Sequence, residues 1–249
     1  MNVFLTGATG YIGRHLIPEL LGRGHTVRAL VRPASAGRLA AGAEPVVGDA
    51  LNAISFAHQI APSDTFVQLV GVAHPSPAKA KEFQTVDLAS IRESVRAVAG
   101  STVRHFVYLS VAMPAPAMKA YVAVRAEGER LVRGAGLAAT FVRPWYVLGP
   151  GHRWPYALLP AYWLWSLFDR DTSARLYPVK LAQVVRAIAG AIENPPDTVR
   201  IIEAPEMRAN RVAADHRTAG NVRSIDSSSS GREDRTRASS AVIRPSRTS

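Results

Sequence analysis

An apolar run, Val3-Phe4-Leu5, passes directly into Thr6-Gly7-Ala8-Thr9-Gly10-Tyr11-Ile12-Gly13, and an amphipathic stretch carrying Ile12, Leu16, Leu20 and Leu21 follows. No other segment constrains the fold as tightly: it reads as a short buried strand, a glycine-rich turn and a helix. Gly7 lets the chain turn sharply off the strand, Gly10 lets backbone N–H groups approach a pyrophosphate, and Gly13 lets the helix pack close to the strand. The helix N-terminus adds unpaired N–H donors and a partial positive charge. Thr9, Tyr11, Ile12 and Arg14 complete the set expected to border a bound dinucleotide. The spacing is G-x-x-G-x-x-G rather than the general G-x-G-x-x-G. A glycine loop without a ligand is the alternative, and the strand before it and the helix after it favour dinucleotide binding.

Strand-like and helix-like segments alternate up to about residue 205. Candidate strands are 2–6, 26–31, 44–47, 65–70, 104–110 and 138–143, with a last one at 199–203. Candidate helices are 11–23, 51–60, 79–99, 119–135 and 180–193. The third shows Phe83, Val86, Leu88, Ile91, Val95 and Val98 close to a one-face helical period. Strands alternating with such helices imply parallel pairing through right-handed crossovers, hence an α/β, doubly wound parallel sheet.

From about Arg208 the pattern dissolves into arginine, serine, threonine and alanine, with four consecutive serines at 227–230. Such a segment cannot offset its ordering entropy, and a disordered basic tail over 208–249 is expected after a domain over 1–207. The alternatives are a tail that touches an acidic partner or membrane surface, and a sequence altered by a reading-frame change. The tail holds nine arginines against four acids, so nearly half of the net charge of +11 lies in the last sixth of the chain. What remains is a mildly basic domain, which argues against nucleic acid as a partner. With no cysteine and seven scattered histidines, neither disulfides nor a metal site are expected. No secretory signal or spanning helix is expected either, and the expected location is cytoplasmic.

The glycine motif is followed in order by Gly48-Asp49, Val70-Gly71-Val72-Ala73, Leu109-Ser110, Tyr121-Val122-Ala123-Val124-Arg125-Ala126-Glu127-Gly128-Glu129, and Val142-Arg143-Pro144 with Leu148-Gly149-Pro150-Gly151. Together these resemble the short-chain dehydrogenase/reductase superfamily over residues 1–205, specifically its atypical and extended branch of nucleoside-sugar epimerase-like and isoflavone-reductase-like NAD(P)-binding proteins. The resemblance implies a Rossmann-type fold. It places Asp49 at the adenine and Gly71 where the backbone passes under the cofactor. The alternatives for Asp49 are a solvated loop acid and a helix cap. Arg32 ends the second strand, where an acid would bond the ribose hydroxyls of NAD. An arginine there suits a 2′-phosphate, with Arg14 nearby, so NADP is expected over NAD.

The resemblance also implies the catalytic set. Tyr121 would exchange a proton with the substrate, and Ser110 would orient the substrate oxygen. Arg125 stands where the superfamily has a lysine that lowers the tyrosine pKa and holds the nicotinamide ribose. The i, i+4 spacing and the charge survive, but a guanidinium is broad, planar and never deprotonated. The competing readings are an Arg125–Glu129 pair on a wet helix face and a half-buried core tyrosine.

All four tryptophans (145, 154, 163, 165) fall within 21 residues, joined by Tyr146, Tyr156, Tyr162, Phe168 and Tyr177. A small aromatic lobe over 144–178 is expected to build the substrate side of the cleft for a flat or apolar small molecule. A homo-oligomer interface, a core cap and peripheral membrane contact through Pro155–Phe168 are the alternatives. The function expected is an oxidoreductase or epimerase-like enzyme; the rival is a non-catalytic NADP(H)-binding redox sensor or assembly subunit.

Overall fold

The computed structural model describes residues 1–151 and 169–209. Seven strands form one parallel sheet: β1 (Asn2–Thr6), β2 (Thr26–Val31), β3 (Glu44–Val47), β4 (Thr65–Gln68), β5 (His105–Leu109), β6 (Ala138–Arg143) and, last in the chain, β9 (Val199–Glu203). Their order is β3-β2-β1-β4-β5-β6-β9, so the crossovers run outward in both directions from the β1–β4 boundary. Two short strands, β7 (Val147–Leu148) and β8 (Val179–Lys180), pair separately.

Side-chain alternation sorts the strands onto two faces. Val3, Leu5, Val67, Val107 and Val142 face an aliphatic layer completed by α1 (Gly13–Gly22) and the late helix Leu181–Glu193. Their neighbours Phe4, Phe66, Phe106 and Phe141 face the other layer. Phe4, Phe66 and Phe106 stand in register on β1, β4 and β5, with ring centroids 5.4 and 5.1 Å apart. A single phenylalanine per strand at one register thus builds a stacked row across the sheet.

The segment expected as one helix over 79–99 is composite. A 3-10 turn (Pro77–Lys79) leads into α2 (Ala80–Glu82), a π-helical turn (Phe83–Leu88) and then α3 (Ala89–Val98). The remaining helices are α4 (Lys119–Gly134), α5 (Arg170–Leu176) and α6 (Leu181–Glu193). The helix expected over 51–60 is instead two 3-10 turns, Ala53–Ser55 and Ala57–Gln59. The Asn52 side chain accepts from the Ile54 N–H, and the Ser55 hydroxyl donates to the Asn52 carbonyl, so local side-chain bonds displace the α-helical ladder.

Of the expected aromatic lobe, residues 144–151 and 169–178 are described. Trp145 and Tyr177 pack with Ala112 and Leu176 in a small satellite cluster. Trp154, Trp163, Trp165, Tyr156, Tyr162 and Phe168 lie outside the described residues, as does the tail from residue 210. Arg208 donates to the carbonyls of Ala174 and Tyr177, which ties it to α5 and the turn that follows. Among the described residues no helix is long and apolar enough to cross a membrane.

Candidate active site

The C-terminal ends of β1, β2, β3, β4 and β5 bring the expected residues to one edge of the sheet. Gly7 leaves β1 with a φ of +73°, and a Cβ there would lie 2.8 Å from the Leu69 carbonyl carbon. A Cβ on Gly13 would collide with the Gly7 and Ala8 carbonyl oxygens. Two of the three glycines are therefore required by backbone packing whether or not a ligand is bound. Gly10 differs: it is exposed, and its Cβ would meet only Gly7 O, at 3.1 Å. This is the glycine open to a ligand.

A cavity of about 390 Å³ begins at this turn. Gly7, Gly10, Tyr11, Ile12, Gly13 and Gly71 line one end, and Tyr121, Arg125, Trp145, Tyr146 and Val147 line the other. The cavity straddles β1 and β4, where the crossovers diverge, which is the ligand position of doubly wound sheets. In the first turn of α1 the Arg14 N–H donates to the Gly10 carbonyl and those of His15 and Leu16 to the Ile12 carbonyl, so it is the turn from Gly10 to Gly13 that faces the cavity. This cradle fits a dinucleotide pyrophosphate.

Thr9, Arg14, Arg32, Asp49 and Ser110 do not line the cavity. Arg14 is exposed, with its Cζ 5.4 Å from the Tyr11 ring centroid. Arg32 is exposed at the entry to the 3-10 turn Pro33–Arg38, and Asp49 is exposed after β3, its Oδ1 accepting from the Leu51 N–H. Asp49 thus forms an Asx turn in the loop and caps no helix; the N-cap of the 3-10 turn Ala53–Ser55 is Asn52. Ser110 is buried at the end of β5, and its hydroxyl has no partner among the described residues.

The far end of the cavity departs most from expectation. Arg125 does not pair with Glu129 on a wet face. Its side chain is 4% exposed, and its Nη2 lies 2.5 Å from Oδ1 of Asp87, whose side chain is 0% exposed. Arg125 Nη1 donates to the Leu109 carbonyl at 2.8 Å, and the Val72 N–H donates to Asp87 Oδ2 at 3.0 Å. The guanidinium lies between two phenol rings, its Cζ 5.1 Å from the Tyr121 centroid and 5.7 Å from that of Tyr108. Glu129 instead takes a two-pronged bond from Arg143 of β6, at 2.8 and 2.6 Å.

Both Asp87 oxygens accept from N–H donors, the pattern of a carboxylate. Burial pushes its carboxyl above the usual range, opposed by the guanidinium and the Val72 N–H. Burial likewise pushes the Tyr108 phenol up to about 12. For Tyr121 the family pattern implies a lowered phenol, and the structure gives the reverse. Burial raises it, and Asp87 adds to that rise while Arg125 opposes it.

Asp87, Tyr108 and Gly128 were not singled out from the sequence. Asp87 had a readable signal: Phe83, Asp87 and Ile91 recur every four residues, which puts an acid on the apolar stripe. Gly128 makes room for Tyr108, since a Cβ there would stand 2.5 Å from the phenol oxygen.

A parallel sheet with this strand order and a glycine cradle at its switch point defines a dinucleotide-binding α/β protein. The model of the family described as NAD(P)H-binding matches residues 7–160, and the chain belongs to that family. The fold is shared with solved structures of a short-chain dehydrogenase/reductase superfamily protein and of a UDP-galactose 4-epimerase, each at 18% identity. The chain is 26% identical over 171 residues to a 4-hydroxy-2-methyl-3-oxo-4-farnesyl-3,4-dihydroquinoline-1-oxide ketoreductase of Stigmatella aurantiaca, covering 60% of this chain and 51% of that protein. It is 30% identical over 151 residues to a ceramide reductase of Caulobacter vibrioides, covering 60% and 47%. The chain thus spans about half the length of these curated relatives. Among solved structures, MoeE5 in complex with UDP-glucuronic acid and NAD shares the fold with a TM-score of 0.63 at 20% identity, over 81% of this chain and 75% of that one.

Proposed function

We propose that the protein is an NADPH-dependent reductase of a carbonyl group on a small, largely apolar molecule. The observation that carries this reading is the single cavity shared by the glycine cradle, Tyr121 and the aromatic residues Trp145 and Tyr146. Bound NADPH supplies a hydride. The N–H groups around Gly10 hold its pyrophosphate, and exposed Arg32 and Arg14 favour the 2′-phosphate form. The neutral Tyr121 phenol gives its proton to the substrate oxygen. Ser110 follows Leu109, which lines the cavity, and its hydroxyl, without a partner among the described residues, would orient that oxygen. The two curated relatives, a ketoreductase and a ceramide reductase by name, support a reductase of apolar substrates.

The experiment has two arms. NADPH should raise the melting temperature more than NADH at equal concentration, by the equivalent of roughly 2.7 kcal/mol at 100 times its Kd. Arg32→Asp should narrow or reverse that preference; equal shifts in the unmodified protein reject the NADPH assignment. In a screen of apolar ketones and nucleotide sugars followed by NADPH oxidation, Tyr121→Phe should abolish turnover and leave cofactor binding nearly intact. One observation favours the non-catalytic rival: the Arg125 guanidinium is already engaged by Asp87 and the Leu109 carbonyl. On that reading no substrate turns over, and Tyr121→Phe changes only stability.

A further inference from the structure

We propose that Asp87 is a positioning residue of this site: it locks the Arg125 guanidinium beneath Gly71 and answers its charge, so that Tyr121 meets the substrate as a proton donor. The inference deepens the reductase reading and rests on it for the task of Tyr121.

The lock is assembled from four directions. Asp87 reaches inward from the π-helical turn, and Arg125 reaches across from α4. The Leu109 carbonyl at the end of β5 takes the guanidinium's second arm, and the Val72 N–H beyond β4 takes the carboxylate's second oxygen. Gly71 completes it from above, because a Cβ there would collide with Arg125 Nη2 and stand 3.1 Å from Asp87 Oδ1. The bare backbone at residue 71 is therefore explained by the ion pair beneath it. The turn bearing Asp87 is itself held by a buried polar chain. Thr6 donates to Gln68, Gln68 Nε2 donates to the Ser90 hydroxyl at 2.9 Å, and that hydroxyl donates to the Asp87 carbonyl at 3.0 Å.

A free cation beside a phenol favours phenolate; a cation already matched by a carboxylate does so far less. Among the described residues, the groups around Tyr121 are Arg125 on its own helix, Asp87 and the Phe83 ring on the π-helical turn, and Tyr108 on β5, with His74 lining the same cavity. The Arg125 and Asp87 charges answer each other, and burial of the phenol then decides in favour of its protonated form. In the reaction proposed, the carbonyl carbon accepts a hydride from NADPH and its oxygen accepts the Tyr121 proton. The products are the alcohol and NADP, and the phenolate recovers its proton from solvent.

The test is an ultraviolet difference titration of tyrosinate on the protein without substrate. The step lost in Tyr121→Phe identifies this phenol, and circular dichroism checks that the fold persists across the range. Asp87→Asn keeps an acceptor for Arg125 but removes the charge, and should bring the step down by about one pH unit or more. Arg125→Gln leaves the carboxylate unanswered and should move the step upward. A step unmoved in Asp87→Asn overturns the proposal. Should that variant fail to fold, Arg125→Lys decides: an ammonium still matched by Asp87 leaves the step above that of free tyrosine, and a step below it overturns the proposal. With any accepted ketone, the alkaline limb of kcat/KM should shift in Asp87→Asn in parallel with the titration. Because the titration uses no substrate, absence of turnover would reject the proposed reaction while leaving this result standing, and turnover with an unmoved phenol would do the reverse.

Discussion

The two ends of the cavity are built on opposite principles. The glycine turn is made from seven consecutive residues, Gly7 to Gly13, and its shape is dictated by backbone contacts among them and with Leu69. The Arg125 cluster draws on residues 71, 72, 87, 109 and 125, brought together only by the sheet and its crossovers. The first is a local structure that the fold uses, and the second exists only because the fold is complete. Damage at the turn should act through sterics, and damage at the cluster through unmatched charge.

The largest effect is expected from separating the charges. Asp87→Ala leaves a buried guanidinium without its partner and should destabilise the protein by about 3–5 kcal/mol in urea unfolding. Replacing Asp87 and Arg125 together with apolar residues should recover much of that loss; no recovery would show that the cluster is held by packing rather than charge. An acid effect should arise outside both regions, at His105. Burial lowers its imidazole to about 4, and its Nε2 meets Thr140 Oγ1 at 2.9 Å. The folded state therefore binds this proton less readily than the unfolded chain. Its contribution is intact above pH 6.5, shrinks as the pH falls, and is fully lost near 4. The loss should be about 3 kcal/mol at 1.4 kcal/mol per unit. His105→Asn should flatten the stability profile between pH 7 and 4.5; an unchanged slope would assign the acid sensitivity elsewhere.

At the turn, Gly13→Ala should cost about 1–3 kcal/mol, because two carbonyls must shift, and should weaken NADPH binding with it. Gly10→Ala should spare stability and affect binding alone. If both variants behave alike, the division of labour among the glycines is wrong. The smallest effect is expected at Arg130 and Glu127, an exposed pair on α4 at 2.6 Å. Arg130→Ala should leave the melting temperature within experimental error, and a measurable loss would erase the contrast between matched charges inside and outside.

This difference also explains what could be read from the chain. The sheet was legible because each strand is a short β-branched or aromatic run between turn residues, and the glycine turn because its spacing is its structure. Tyr121 and Arg125 were legible as an i, i+4 pair, but the partner of Arg125 was not, since Glu129 offered the same spacing on the same helix. What separates the two acids is tertiary: Asp87, buried on the π-helical turn Phe83–Leu88, is bonded to Arg125 and the Val72 N–H, and Glu129 is claimed by Arg143 from β6. The helix expected after Asp49 failed for a local reason, the competing bonds of Asn52 and Ser55.

Tyr121, Arg125 and Glu129 stand four residues apart along α4, and the two charged members are bonded to different bodies, the π-helical turn and β6. The helix is keyed like a shaft with two teeth. A slip of one residue would tear both charges from their sockets, and a rotation that relaxed one would strain the other. The angular setting of the phenol is thus inherited from bonds up to two turns further along the same helix. A substitution at Arg143, which does not itself line the cavity, should be felt at Tyr121 as a change of aim.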